Sequence, residues 1–286
     1  MSAFLAIDWG TTNRRVYRIA DGRVAASEQD ARGVTAVTDF ESELAAIRAR
    51  LGDLPVLMAG MVGSTIGWRD AGYIPAPAGI DDLGGGLCRI DARTAIVPGV
   101  SFRDAARCDV MRGEEVQVLG AVGAGLVPAN AMLVQPGTHC KWIEMATGRI
   151  ARFTTAMTGE LFALLRAHSI LAAQLTSEVA LGQAFLEGVR EGGKGDLSAS
   201  LFGIRAASLL GARPDVDMAS FASGLIIGAD VAARTAAGRF DTAYILADTP
   251  LGALYAAAIE ANGRTATVVD GQAAFVAGIV RLGDYL

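Results

Sequence analysis

The sequence predicts an α/β protein built from two similar halves, each a mixed sheet with helices packed on it. Three observations predict it. Short apolar strands alternate with amphipathic helices along the chain. A strand, a Gly-Thr turn, a strand, a tight turn and a third strand open the chain, and the same order returns after residue 131. The chain has 286 residues, 52% of them hydrophobic and 19% charged, which suits two moderate cores rather than disorder.

The opening half reads in order. Phe4–Asp8 is a buried strand ending on a carboxylate, Trp9–Asn13 a turn, and Arg15–Ala20 a second strand. Asp21-Gly22 signals a hairpin turn into a third strand, Arg23–Asp30. Thr38-Asp39-Phe40-Glu41 has the form of a capping box before a helix that puts Phe40, Leu44, Ile47 and Leu51 on one face and stops at Gly52. Pro55–Ala59 is a strand running into Gly60–Ser64. Segment Tyr73–Ile90, rich in Gly and Pro, reads as loops, and Thr94–Val97 as a strand.

Glu114–Ala124 reads as a helix with two acids in its first turn. Met132–Gln135, Trp142–Met145 and Ile150–Thr155 are strands, with turns at Pro136–Lys141 and Thr147-Gly148. Gly159 to about Val189 and Met218–Ala237 read as helical. A strand at Thr242–Ala247, a helix at Leu251–Asn262, a strand at Thr265–Val269 and a helix at Gln272–Leu282 close the chain.

The net charge of −5 comes with no basic stripe, which argues against a nucleic-acid partner. The three cysteines, Cys88, Cys108 and Cys140, fit neither a zinc spacing nor a disulfide framework. With no basic n-region at the start, a reducing cytoplasm is the expected compartment. The apolar stretch around Ala219–Ala237 is interrupted by Asp230 and Arg234 and is too short and too rich in small residues for a membrane span.

Three segments carry chemistry. Ile7-Asp8-Trp9-Gly10-Thr11-Thr12-Asn13 puts a carboxylate at a strand end beside a glycine turn and two hydroxyls. Backbone N–H groups and Thr hydroxyls of such a hairpin suit phosphate oxygens, and Asp8 suits a hard cation held through water. Pro136-Gly137-Thr138-His139-Cys140-Lys141 repeats the Gly-Thr turn in the second half, so two turns would hold one nucleotide. Met111-Arg112-Gly113-Glu114-Glu115 sets a cation before two carboxylates at a helix start, either as dipole partners or as a base beside an anion site.

Together these segments resemble the 2-dehydro-3-deoxygalactonokinase family, within the sugar kinases of the actin–hexokinase superfamily. Ala6–Arg15, Met58–Trp68, Val110–Gly120, Pro136–Trp142 and Met157–Leu161 carry the resemblance, which runs from about residue 4 to about 280. It implies a ribonuclease-H-like fold of two lobes with a central cleft. The first lobe would cover 1–110, with the C-terminal helix 271–286 packing back on it, and the second 111–270. It implies an ATP-dependent, magnesium-requiring kinase that makes the 6-phosphate of 2-dehydro-3-deoxy-D-galactonate in galactonate breakdown.

Carried over by motif, Gly10, Thr11 and Thr12 with Asp8 match the first phosphate loop, and Gly137 and Thr138 the second. Asp8 would hold magnesium through water. Glu114 falls where related kinases place the catalytic acid, with Glu115 its neighbour and competitor for the role. Arg14 and Arg112 are candidates for the substrate carboxylate. Gly63, Ser64 and Trp68 would line the sugar side, and His139 and Lys141, by the second turn, would contact the substrate. Thr158 reads as an N-cap, and His168 as structural.

At the adenosine-binding turn, Asp248 stands where related kinases carry glycine, with Thr249 beside it. This departure keeps open a related sugar kinase, a phosphoanhydride phosphatase of the same fold, or a non-catalytic nucleotide sensor. A P-loop reading of Gly188–Gly195 fails, because Gly195 replaces the required hydroxyl residue. The expected partners are a sugar acid and ATP, with no membrane, and a homodimer is compatible with the sequence.

Overall fold

The computed structural model describes residues 3–247 and 249–286. Its elements in chain order are β1 (Phe4–Trp9), β2 (Arg14–Ala20), β3 (Arg23–Asp30), α1 (Phe40–Leu51), β4 (Val56–Ala59), β5 (Tyr73–Pro75), α2 (Ile80–Gly85), β6 (Cys88–Asp91), β7 (Thr94–Ile96), β8 (Gly99–Arg103), β9 (Cys108–Met111) and α3 (Glu114–Gly123). There follow β10 (Ala131–Gln135), β11 (Cys140–Ala146), β12 (Arg149–Ala156), α4 (Thr158–His168), α5 (Gln183–Gly192), α6 (Leu197–Leu209), α7 (Asp215–Thr235), β13 (Thr242–Leu246), α8 (Thr249–Ala261), β14 (Thr265–Val269) and α9 (Gly271–Leu282).

The chain divides into two compact units. Unit one is Met1–Asn130, Glu144–Phe153 and Gly271–Leu286; unit two is Ala131–Ile143 and Thr154–Asp270. Unit one thus runs past residue 110 and contains α3. The reason lies in α3 and α9, which meet backbone to backbone. A Cβ on Gly120 would lie 2.0 Å from the Ala274 carbonyl oxygen, and one on Gly278 2.1 Å from that of Val116.

Unit one has a six-stranded sheet in the order β3-β2-β1-β4-β7-β6. β1 pairs antiparallel with β2 and parallel with β4. Leu5, Ile7, Trp9, Ile47, Met58 and Ile96 fill one side of it. Asp21 and Gly22, with φ of 52° and 72°, make the tight β2–β3 turn. α1 is capped by the Asp39 side chain, which accepts the Ser42 N–H at 3.0 Å, so the expected Thr38–Glu41 box does not form. Its stop at Gly52 (φ 111°) is where the sequence placed it. Segment 73–90 is more ordered than its Gly and Pro content suggested: β5 joins a three-stranded sheet, β5-β8-β9, and α2 and β6 follow. The hairpin tip Glu144–Phe153 belongs to this unit, where Ala78 and Ile150 exchange hydrogen bonds of 3.0 and 2.8 Å.

Unit two is built on the sheet β12-β11-β10-β13-β14. Its order repeats the first five strands of unit one, with β10 in the place of β1 and parallel to β13. The repeat seen in sequence is therefore a repeat of topology. Val134, Phe185, Val231, Tyr255 and Ile259 sit in its core. The helical stretch expected from Gly159 to Val189 is broken: α4 ends at His168 and α5 begins at Gln183. The Ser169 hydroxyl donates to the Leu165 carbonyl at 2.6 Å and accepts the Leu171 N–H at 2.9 Å, turning the chain. α7 is long and apolar enough to cross a membrane by composition alone, but 67% of that stretch is buried in the protein.

Candidate active site

Unit one gathers most of the residues singled out from sequence. Asp8 is the last residue but one of β1, opposite Arg15 on β2 and Ala59 on β4. The loop after it is held from behind: Gly33 N–H donates to the Thr12 carbonyl at 2.9 Å, Val34 N–H to that of Gly10 at 3.0 Å, and the Thr35 hydroxyl to that of Thr11 at 2.9 Å. With the carbonyls tied down, Thr11 and Thr12 stand exposed at the loop surface. That is the arrangement an anion needs.

Three backbone segments converge beside Asp8. Gly60, at the end of β4, has φ 95°, and a Cβ there would lie 2.8 Å from the Trp9 carbonyl oxygen and 3.5 Å from Asp8 Oδ1. Gly113, just ahead of α3, has φ 101°, and its Cβ would meet Gly60 Cα at 3.2 Å. Both positions favour glycine on conformation and on space. The packing brings the start of α3 within electrostatic reach of Asp8. Burial raises the Asp8 pKa to about 6, Arg15 opposes the rise, and the Glu114 charge adds to it.

The two acids of α3 differ in role. Glu115 is fully buried and accepts the Gly113 N–H on both carboxylate oxygens, at 2.9 and 2.7 Å. Burial first, then the charge of Glu114, raises its pKa to about 8. It has no access to a ligand, so it positions the helix start. Glu114 is half-buried, and its Oε2 accepts the Arg112 N–H at 3.0 Å.

Arg112 is the most unusual side chain of the unit. Its side chain is 4% exposed and lies over the Tyr73 ring at 4.4 Å. Nη2 donates to the Gly72 carbonyl at 3.0 Å and approaches Asp70 at 3.4 Å, while Nε and Nη1 have no hydrogen-bond partner. A buried guanidinium with unmet donors is costly unless a ligand meets them. Gly63 makes room for it, since a Cβ there would lie 2.9 Å from Nη1. Ser64 is buried and donates its hydroxyl to the Met61 carbonyl at 2.7 Å, and Trp68 stacks on Phe40 at 6.0 Å.

Arg14 does not fit the carboxylate-binding role read from sequence. It is 2% exposed, bound to Asp30 at 2.6 and 3.2 Å and to Glu43 at 2.9 Å, and lies over the Trp9 ring. The β2–β3 register sets Arg14 opposite Asp30, which the motif alone does not reveal.

Unit two presents the second Gly-Thr turn between β10 and β11, with Thr138 exposed. The start of α4 lies against it: Glu160 N–H donates to the Thr138 carbonyl at 2.9 Å, and a Cβ on Gly159 would lie 2.4 Å from the Gly137 carbonyl oxygen. His139 Nε2 meets Glu160 at 2.5 Å on the surface. Lys141 is 6% exposed on β11. Thr158 is the first residue of α4 rather than its cap, and its hydroxyl pairs with that of Tyr255 at 2.8 Å.

Next to this turn is a cavity of about 170 Å³ that sequence reading missed, lined by Gly137, Thr158, Phe162, Ser223, Ile227 and Tyr255 among others. It is nearly all apolar, and its size suits one flat heterocycle. Its only trace in sequence is the small-residue run of α7 around Ser223-Gly224. Asp248 and the Thr249 side chain lie outside the described residues.

The sequence profile of 2-keto-3-deoxy-galactonokinase matches residues 8–282. The chain belongs to that family. The 2-dehydro-3-deoxygalactonokinase of Escherichia coli (strain K12) is 38% identical to this kinase over 283 residues, 96% of either chain. A crystal structure from Sinorhizobium meliloti, described as a protein of the same activity, superposes with TM-score 0.91 at 34% identity, covering 99% of this kinase and 97% of that chain. A more distant likeness, TM-score 0.51 at 10% identity over 99% of this chain and 95% of the other, is to the activator of 2-hydroxyisocaproyl-CoA dehydratase from Clostridium difficile. The fold is thus the ribonuclease-H-like one of the actin–hexokinase type, and the protein is an ATP-dependent carbohydrate kinase.

Proposed function

We propose that the kinase transfers the γ-phosphoryl group of ATP to the terminal hydroxyl of 2-dehydro-3-deoxy-D-galactonate, giving the 6-phosphate. The observation that carries this reading is Arg112: a buried guanidinium with Nε and Nη1 unpaired, two residues before Glu114. Those donors suit the carboxylate of a sugar acid, which a neutral sugar would not satisfy.

The roles follow from the placement of each group. Unit one binds the acceptor. Arg112 takes its carboxylate, Trp68 and Gly63 lie on the sugar side, and Glu114 accepts the hydroxyl proton as the oxygen attacks the γ-phosphorus and the bond to ADP breaks. Glu115 keeps the start of α3 in place. Thr11 and Thr12 offer N–H and hydroxyl donors to phosphate oxygens, while the Gly10 N–H is held by the Asn13 carbonyl at 2.9 Å. Unit two binds the donor: the cavity takes the adenine, and Gly137, Thr138 and the start of α4 face the phosphates.

Magnesium fits the residues present. Asp8 and Glu114 form a carboxylate pair whose mutual repulsion a hard cation relieves, and Asp8 would hold the ion through water. When bound, it neutralises phosphate charge. We place the enzyme in the cytoplasm, where ATP is available.

A coupled ADP-release assay with ATP, magnesium and the sugar acid tests the proposal, run beside its gluconate epimer and plain galactonate. Turnover on the galactonate derivative is expected. Folded protein that binds ADP but phosphorylates none of the three would refute the substrate assignment.

A further inference from the structure

The cavity in unit two has one feature that a binding site for a base needs and packing does not. α7 carries two buried serines on its inner side, Ser220 at 6% and Ser223 at 7% exposure. Ser220 is satisfied, its hydroxyl accepting the Ala180 N–H at 3.0 Å. Ser223 lines the cavity, and its hydroxyl makes no hydrogen bond within the described residues. The other two hydroxyls of the cavity, of Thr158 and Tyr255, are committed to each other. Ser223, a residue more than nine-tenths buried, therefore has no hydrogen-bond partner for its hydroxyl among the described residues, in an otherwise apolar wall.

Its position is rigid. The next residue, Gly224, and Gly228 one turn on are pressed against α5: a Cβ on Gly224 would lie 2.0 Å from the Phe185 carbonyl oxygen, and one on Gly228 2.4 Å from that of Val189. α7 cannot rotate or retreat without opening that crossing. Ser223, Ile226 and Ile227 recur at helical spacing and face the cavity together.

We infer that Ser223 is the residue that hydrogen-bonds the donor base, and that the apolar wall around it selects adenine over guanine. The inference rests on the cavity being the base site, as proposed above. One hydroxyl can donate one hydrogen bond and accept another, which serves an edge of adenine carrying a ring nitrogen and an amino group. Guanine brings an additional exocyclic polar group, which the Ile, Phe and Leu wall would leave buried and unpaired. Rejection by unpaired polar groups is the stronger form of discrimination.

Titration calorimetry of ADP and GDP with the full-length enzyme tests this, together with the KM for ATP. The wild type should bind ADP at least about tenfold more tightly than GDP. Ser223→Ala should weaken ADP by roughly five- to tenfold, with GDP little affected, and should raise the KM for ATP in step. Equal wild-type affinity for ADP and GDP, or unchanged ADP affinity in Ser223→Ala, overturns the inference even if the enzyme phosphorylates its sugar acid. If ADP binds with the predicted preference and no sugar acid is turned over, the substrate assignment fails and this inference stands.

Discussion

Glu115 takes the N–H of Gly113 on both of its carboxylate oxygens, at 2.9 and 2.7 Å, although it is fully buried. Its ordinary pKa of 4.5 is raised to about 8, because burial and the neighbouring Glu114 charge outweigh those two hydrogen bonds. The folded protein then holds a proton between about pH 4.5 and 8 that the unfolded chain has lost. Stability from this group is present at low pH and falls as pH rises through that window, and Asp8, raised to about 6, acts in the same direction. Urea midpoints should therefore fall from pH 5.5 to pH 8.5. Glu115→Gln should flatten that fall, and an equal slope in the variant would contradict the raised pKa.

Glu114→Gln tests the base. The amide keeps the size and still accepts the Arg112 N–H, so ADP and sugar-acid binding should stay within about twofold. Turnover should drop by about 10²–10⁴. A variant retaining most of its kcat would move the base role off Glu114.

Arg112 and Arg14 make opposite predictions. Arg112→Met removes the group with unmet donors and should raise the KM for the sugar acid by about tenfold or more while leaving ADP affinity alone. Arg112→Lys should not rescue it, because a single ammonium lacks the planar fork. Arg14→Met breaks the buried contacts to Asp30 and Glu43. It should cost about 1–3 kcal/mol of stability, less than a fully buried pair since both partners are partly solvated, without a specific rise in that KM. Melting curves beside steady-state kinetics separate the two.

The α3–α9 crossing predicts a coupling from the C-terminal helix to the base. Gly278→Ala places a methyl 2.1 Å from the Val116 carbonyl oxygen and must push the helices apart. A loss of about 1–3 kcal/mol is expected, with reduced kcat because α3 carries Glu114. Chemical denaturation and kinetics on the same preparation check both. A stable, fully active variant would show that α3 tolerates displacement.

Much of the fold was legible. β1 to β3 with the Asp21-Gly22 turn, and the Gly52 helix end, follow from local rules of period and φ. Where the reading failed, the cause was mostly distant. Ser169 ends α4 early through its own neighbours Leu165 and Leu171, but β5 and β6, in a stretch rich in glycine and proline, are ordered by pairing with β8 and β7. Thr158 looked like a cap because its type suits one, yet Tyr255, far along the chain, takes its hydroxyl.

For function, the sequence by itself determined the family: the repeated Gly-Thr turns, Asp8, and the Arg112–Glu115 segment are contiguous motifs, readable because each lies within one turn of chain. The tertiary structure decided which of similar residues does what. It buried Glu115 and left Glu114 accessible, gave Arg14 to Asp30 and Glu43 while leaving Arg112 with unmet donors, and opened an apolar cavity faced by Ser223. Those differences arise from burial and from partners remote in sequence, and neither is a property of a residue's own type or spacing.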